Sequence, residues 1–316
     1  MQKFTNSILR IFVEDYRRID LPEVRKKYGS LGGWVSIVLN VILFAIKLFF
    51  GLLINSVSLI ADAVHTLADV ITSAIVVVSF KISSLPKDKE HPFGHGRAEE
   101  IATLIIAVLL VVVGFEFLHQ SINRFFSPQD VEYNLLVLVV MLVAAAIKEW
   151  MYHFSKDLGN RIESQALIAD AWHHRTDAFA SLVVGIGLLG VLVGYPKVDA
   201  LLGVVVSGLI IYTGYEIGRD VVNHLLGVRP SEELVEAINK CAMTVDGVQG
   251  LHNIELHEYG EIKHLTAHME VCRLLDITEA HQISDVVEKK INETLGVKIL
   301  IHIEPWEDCI HKEINN

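Results

Sequence analysis

The sequence predicts an α-helical membrane protein with six transmembrane helices and, after them, a small C-terminal α+β domain. Three observations predict it. The 316-residue chain is 52% hydrophobic and only 21% charged, with a mean hydropathy of +0.42, whereas soluble domains carry about a quarter charged residues and fewer apolar ones. Six stretches of about twenty apolar residues follow one another, the length that a hydrocarbon core of about 30 Å demands. From Ser231 onward the long apolar runs give way to short helical and alternating patterns.

The six spans fall at 34–54, 57–82, 99–122, 134–154, 166–194 and 198–222, joined by connections as short as Leu52-Leu53-Ile54-Asn55-Ser56 and Gly194-Tyr195-Pro196-Lys197. Loop charge orients them. Lys3, Arg10, Arg17, Arg18, Arg25, Lys26 and Lys27 precede the first span, Lys87, Lys89 and Arg97 lie between spans 2 and 3, and Lys156 and Arg161 between spans 4 and 5. The opposite loops offer little beyond Arg124 and Lys197. By the positive-inside rule both termini are cytoplasmic, which makes this a multi-pass protein of the cell (inner) membrane. No signal-peptide apolar core interrupts the basic start, so that start is expected to be retained.

Four regions result: a basic N-terminal extension (1–28), the six-helix transmembrane domain (29–226), a cytoplasmic domain (227–308) and a tail (309–316). In the extension, Phe4, Ile8, Ile11, Phe12, Tyr16 and Ile19 share one helical face. Such a helix lies on the membrane surface or packs on the cytoplasmic domain. In the C-terminal region, SEELVEAINKCAM reads as an amphipathic helix. LHNIELHEY and KHLTAHMEVC alternate as strands joined at Gly260-Glu261. TEAHQISDVVEKKINETLG is a second helix, with Thr278 as its N-cap and Gly296 just past its end, and VKILIHIEP is a last strand. The order α-β-β-α-β describes a compact α+β unit of metallochaperone or ferredoxin-like type.

Charge narrows the function classes. The formal net charge is −11, and residues 231–316 hold seventeen Asp/Glu against seven Lys/Arg, together with seven of the fifteen histidines. Such a domain attracts cations and is a poor partner for nucleic acid, which needs a basic face. Cys241, Cys272 and Cys309 are too scattered for a disulfide framework or a CxxC knuckle. No HExxH, GxSxG, Walker A or GxGxxG motif occurs. No organic cofactor is expected, and with no nucleotide site any transport would have to run on an ion gradient.

The most informative stretch is IADAWHHRTDAFAS, residues 168–181, because it places Asp170, His173, His174, Arg175 and Asp177 at the start of a lipid-buried span. A charge in hydrocarbon costs about 2.5–3.5 kcal/mol or more. The stretch has a gapless twin, IADAVHTLADVITS at 60–73, with seven of fourteen positions identical. The copies sit in spans 2 and 5, which cross the membrane in opposite directions, as inverted repeats of transporters do. Each copy spaces Asp, His and Asp at i, i+3 and i+7, one helical face. His65, Asp69, His173 and Asp177 then converge as a two-nitrogen, two-oxygen set suited to tetrahedral Zn²⁺. The two carboxylates cancel the ion's charge. A buried His–Asp hydrogen-bond network is the competing reading. Asp62 and Asp170 fall on opposite sides of that set: Asp170 is expected to line the cytoplasmic approach and Asp62 the outer exit, or else both serve at helix ends. His174 and Arg175 are expected to face water or loops.

Two further constellations have the composition of cation sites. Asp88, His91 and His95 in PKDKEHPFGHGRAEE can clasp a cation where a loop meets span 3, or can be a solvated loop with two histidines. In the C-terminal domain, His252, His257, His264, His268, His281, His302 and Glu304 spread over both hairpin strands, the second helix and the last strand. Alternation puts His302 with Glu304, and His264 with His268, on one face of their strands.

Taken together, six spans, the doubled HxxxD, the loop EHPFGHGRAE and the α-β-β-α-β domain resemble the cation diffusion facilitators over roughly residues 29–308. The resemblance implies a homodimer, joined through its cytoplasmic domain, that exports divalent metal from the cytoplasm in exchange for protons. It implies that His65, Asp69, His173 and Asp177 form the transport site and that Asp88, His91 and His95 match the loop site of the zinc-exporting bacterial branch. It implies that His252, His268, His281, His302 and Glu304 bind a metal pair at the dimer contact; Glu304 stands where close relatives carry Asp. Histidine as first ligand of span 2 favours zinc over manganese or iron. The alternatives are a manganese or iron(II) exporter of the same build and, from other classes, a membrane metalloenzyme or a metal receptor that senses without transporting.

Overall fold

A computed structural model describes residues 2–53, 57–126, 135–192, 197–260 and 262–307. They form two compact units, Met1–Val222 and Asn223–Asn316.

The first unit holds a short helix, α1 (Gln2–Phe12), and six long ones: α2 (Pro22–Leu53), α3 (Val57–Ser83), α4 (Ala98–Phe126), α5 (Leu135–Arg161), α6 (Gln165–Leu192) and α7 (Lys197–Leu226). Five contain stretches long and apolar enough to cross a bilayer: Pro22–Leu53, Asp62–Ser83, Ala98–Phe126, Leu138–Arg161 and Ala200–Leu226. The sixth, α6, is 28 residues long and carries the ionisable cluster instead. The helices overrun the expected spans, α2 by twelve residues at its start. Hydropathy marks only the lipid-facing part, whereas a 32-residue helix reaches about 48 Å, beyond a hydrocarbon core of about 30 Å. Pro22 opens α2 at a position where its missing N–H costs nothing.

The strongest packing joins α2 to α3 and α5 to α6, and α3 meets α6. Small residues permit the first contact: a Cβ added to Gly33 would lie 2.4 Å from Val77 Cγ2, so the helices approach as only small-residue faces allow.

At the N-terminus the extension is tied to the helix bundle. Leu9 and Val13 are buried in the bundle's own core with Val24, Tyr28, Val76, Phe80, Phe154 and Leu158. The Tyr28 hydroxyl donates to the Tyr16 carbonyl at 2.6 Å, and Arg161 donates to Asn6 at 2.8 Å. The helix stops at Phe12, so Tyr16 and Ile19 do not extend its face. Ile11 and Phe12 point outward. At the same end the buried Glu99 gathers Arg25, Ser83 (3.0 Å) and Ser164 (3.2 Å), fixing the beginnings of α2, α4 and α6 to the end of α3.

The second unit follows the expected order: α8 (Glu232–Ala242), β1 (Val248–Tyr259), β2 (Ile262–Cys272), α9 (Ile277–Leu295), β3 (Lys298–Trp306). The sheet order is β1-β2-β3, with β1 and β2 antiparallel and β2 and β3 parallel across α9. Leu265, Ala267, Met269, Val271, Ile299 and Ile301 bury against Ile238, Ala242, Val287 and Ile291 of the helices. Alternation sends the even-numbered residues of β2 and β3 to the opposite face. Ser231 caps α8. The cap of α9 is Asp276, not Thr278: its carboxylate accepts from the N–H groups of Thr278 and Glu279, and Glu279 reaches back to the Asp276 N–H. An ionised carboxylate with that reciprocal partner outcompetes a hydroxyl two residues on. Gly296 closes the helix at φ 70°. Cys241 is a free thiol, whereas Cys272 is disulfide-bonded, a link that the spacing of the cysteines does not announce.

Candidate metal sites

The doubled motif assembles at the α3–α6 contact. His173 Nε2 lies 3.4 Å from Asp69 Oδ1 and 3.8 Å from Asp177 Oδ2. His65 Nε2 lies 3.9 Å from Asp69 Oδ1 and 4.0 Å from Asp177 Oδ1. Ligands of a tetrahedral ion with bonds of about 2.0–2.1 Å stand about 3.3–3.4 Å from one another; the His173–Asp69 contact has that spacing, the other three are longer, and His65, Asp69 and Asp177 have ligand atoms within 4.8 Å of one another. Asp69, His173 and Asp177 are buried, while His65 is half-exposed. Neither ring nitrogen of His173 has a hydrogen-bond partner among the described residues. A buried polar atom left so costs about 1–3 kcal/mol, which a metal bond would offset.

Sequence reasoning missed a fifth member. Lys148 of α5 is buried, and its Nζ lies 2.7 Å from Asp69 Oδ2 and 2.7 Å from Asp177 Oδ2. A second buried lysine, Lys47 of α2, sits 2.7 Å from Asp62 and donates to Thr66 at 2.7 Å. A signal for both was present: Ala45-Ile46-Lys47 and Ala146-Ile147-Lys148 repeat the same triplet in spans 1 and 4. The shared Ala-Ile-Lys is short, and within a long apolar run it reads as composition.

A cavity of about 430 Å³ adjoins the site, lined by Asp62, His65, Asp69, Lys148 and Asp177 and continuing past Glu116 and Gln120 to Arg124. It therefore leads toward the bundle end where α4 finishes and α3 starts, opposite the end that carries residues 84–97. Asp62 lies in this cavity. Asp170 does not line an open approach: it is fully buried. Ser36 and Ser73 donate to it at 3.5 and 3.3 Å, and His174 Nε2 is 3.2 Å from its Oδ2. The expectation that His174 faces water or a loop is corrected. It is fully buried and 2.9 Å from Ser36 Oγ, because one helical turn places it beside Asp170 on the side of α6 turned to α2. Arg175 stacks over the Tyr152 ring at 4.3 Å and faces Glu149 at 3.7 Å.

The loop residues are together as well. Asp88 Oδ1 accepts the N–H groups of His91 (2.6 Å) and Glu90 (2.9 Å), and the His91 bond in particular holds its carboxyl below the usual range. His91 Nδ1 and His95 Nε2 lie 3.4 and 3.5 Å from the same carboxylate. Gly94, at φ 89°, permits the tight turn that brings the two rings together, tilted at 48° with centroids 4.4 Å apart.

In the second unit strand register does the positioning. His252 pairs with His268, and His268 with His302, so three histidines form one row across the sheet. Glu304 Oε1 is 2.7 Å from His268 Nδ1, and its Oε2 is 3.2 Å from His252 Nε2. The hydrogen bond from His268 lowers the Glu304 carboxyl below its ordinary value. His268 and His302 have ring centroids 4.9 Å apart. His281 is not brought to this row: it stands exposed on α9, 3.6 Å from Asp285. His257 and His264 form a separate pair further along the sheet.

Comparison with known proteins adds an independent line. Residues 33–226 match the family model described as the cation efflux transmembrane domain, and residues 230–306 match that of the cation efflux protein cytoplasmic domain. The chain is 35% identical to an uncharacterized transporter of Methanocaldococcus jannaschii, over 85% of this chain and 96% of that protein. It is 32% identical to the manganese efflux system protein MneP of Bacillus subtilis, over 86% and 94% of the two chains. It is also 32% identical to metal tolerance protein 2 of rice, over 85% and 76%.

Proposed function

Because this chain belongs to the cation efflux family, and is thus a multi-pass membrane protein that exports divalent metal ions, we propose that its cargo is Zn²⁺, moved out of the cytoplasm in exchange for protons. One observation carries the choice of metal: two imidazoles and two carboxylates stand together inside the bundle, each imidazole within 4.0 Å of both carboxylates. Imidazole ligands suit zinc, whereas manganese favours oxygen ligands. The manganese reading has the name of MneP in its support, so it is the rival to test.

Metal ligands must be deprotonated, so loading releases protons. Histidine, with an ordinary pKa near 6.5, loads and unloads in the physiological range. With the basic loops read as cytoplasmic, the cavity leads away from that face, which supports reading this conformation as outward-facing. The loop trio is a candidate entry site. The histidine row with Glu304 is a candidate regulatory or stapling site at a homodimer contact, and His281, remote within the chain, is a ligand only across such a contact.

Proteoliposomes containing a metal-sensitive dye and bearing an imposed pH gradient test the reading. We expect gradient-driven Zn²⁺ flux that collapses when the gradient is dissipated, with excess Mn²⁺ a weak competitor. Preferential Mn²⁺ flux would replace zinc with the rival cargo. Flux indifferent to the pH gradient would remove the proton.

A further inference from the structure

The four-ligand set already contains a cation. The Lys148 ammonium lies 2.7 Å from one oxygen of each carboxylate, so it bridges the two groups that a metal would bridge. It is as buried as they are. Asp62 has its own buried partner in Lys47, so the bundle meets intramembrane carboxylates with lysines on neighbouring helices in both halves. A dication a few ångströms from a fixed ammonium would be strongly repelled in a low-dielectric interior. Asp69 turns Oδ1 to the imidazoles and Oδ2 to Lys148, but on Asp177 both His173 and Lys148 face Oδ2, so a metal held there competes with the ammonium.

We propose that Lys148 is a tethered stand-in for the metal: its ammonium occupies the cargo site between loads, and the arriving ion displaces it into the adjoining cavity. This rests on the assignment of His65, Asp69, His173 and Asp177 as the transport site. Two consequences follow. Metal affinity is set by competition with an internal cation. The empty carrier crosses back with its carboxylates compensated, so it performs net export and not only metal-for-metal exchange. A lysine that merely pins the carboxylates in ligand geometry predicts the opposite effect on affinity.

The test is Lys148→Met in the full-length protein. Zn²⁺ binding is measured as the component that Asp177→Ala abolishes, and vesicles are assayed for both net Zn²⁺ flux and Zn²⁺–Zn²⁺ exchange. We expect that component to tighten by about tenfold or more, because carboxylates left without a partner are satisfied by the metal. Exchange should survive while net flux falls. Weaker binding, or equal loss of exchange and net flux, overturns the proposal in favour of a pin. Should Lys148→Met fail to fold, the wild-type protein answers: amine-reactive labelling of Lys148, read by mass spectrometry, should speed up when Zn²⁺ is added, and unchanged or slower labelling overturns the displacement. If Asp177→Ala alters neither binding nor flux, the site assignment itself fails, an outcome distinct from either of these.

Discussion

Asp69→Ala should abolish zinc efflux and leave the protein folded and assembled. Asp69 is a proposed ligand, and it reaches towards both His173 and Lys148. Changing even a residue that only supports a ligand costs about 10–100-fold in metal affinity, so removing the ligand itself should cost more than about 100-fold. The fold should survive, because Lys148 keeps Asp177 as a one-to-one partner at 2.7 Å and no uncompensated charge is left in the bundle. Flux in vesicles alongside size-exclusion chromatography separates the two effects. Normal flux by Asp69→Ala would remove the site from the transport path.

His174→Ala should damage stability rather than ligation. His174 and Asp170 are both fully buried and 3.2 Å apart. Without the imidazole, Asp170 keeps only the hydroxyls of Ser36 and Ser73 at 3.5 and 3.3 Å. Leaving a buried carboxylate short of that hydrogen-bond partner costs about 3 kcal/mol. At about 2–4 °C per kcal/mol for a unit of this size, the thermal midpoint should drop on the order of 10 °C. A double-mutant cycle with Asp170→Ala checks it, since partners in contact couple while independent sites add. Additive effects would mean that the two side chains do not support one another.

Much of this was legible in the sequence, for identifiable reasons. Apolar length and loop charge give the bundle because lipid imposes them. The HxxxD repeat brings the proposed ligands together because helical spacing fixes one face, and two copies fix which helices meet. The small domain was legible through strand alternation, and its histidine row follows once His252, His268 and His302 are in register. What could not be read depends on three-dimensional neighbours. His174 looks like a surface residue until α2 and α3 bring Ser36 and Ser73 to Asp170. Lys148 belongs to the site through α5, where the hint is no more than the Ala-Ile-Lys triplet it shares with α2. Leu9 and Val13 dock on the bundle because its end offers an apolar seat, which periodicity in the extension cannot reveal. His281 has the right composition for a ligand and the wrong place within one chain.

The most direct test of the central claim is a structure of the zinc-loaded full-length protein with anomalous difference data at the zinc edge. The account predicts a peak within the bundle at about 2.0–2.2 Å from one atom each of His65, Asp69, His173 and Asp177, with the Lys148 ammonium withdrawn from both carboxylates. Zinc at the loop and the C-terminal sheet alone, with Lys148 still bridging Asp69 and Asp177, would contradict it.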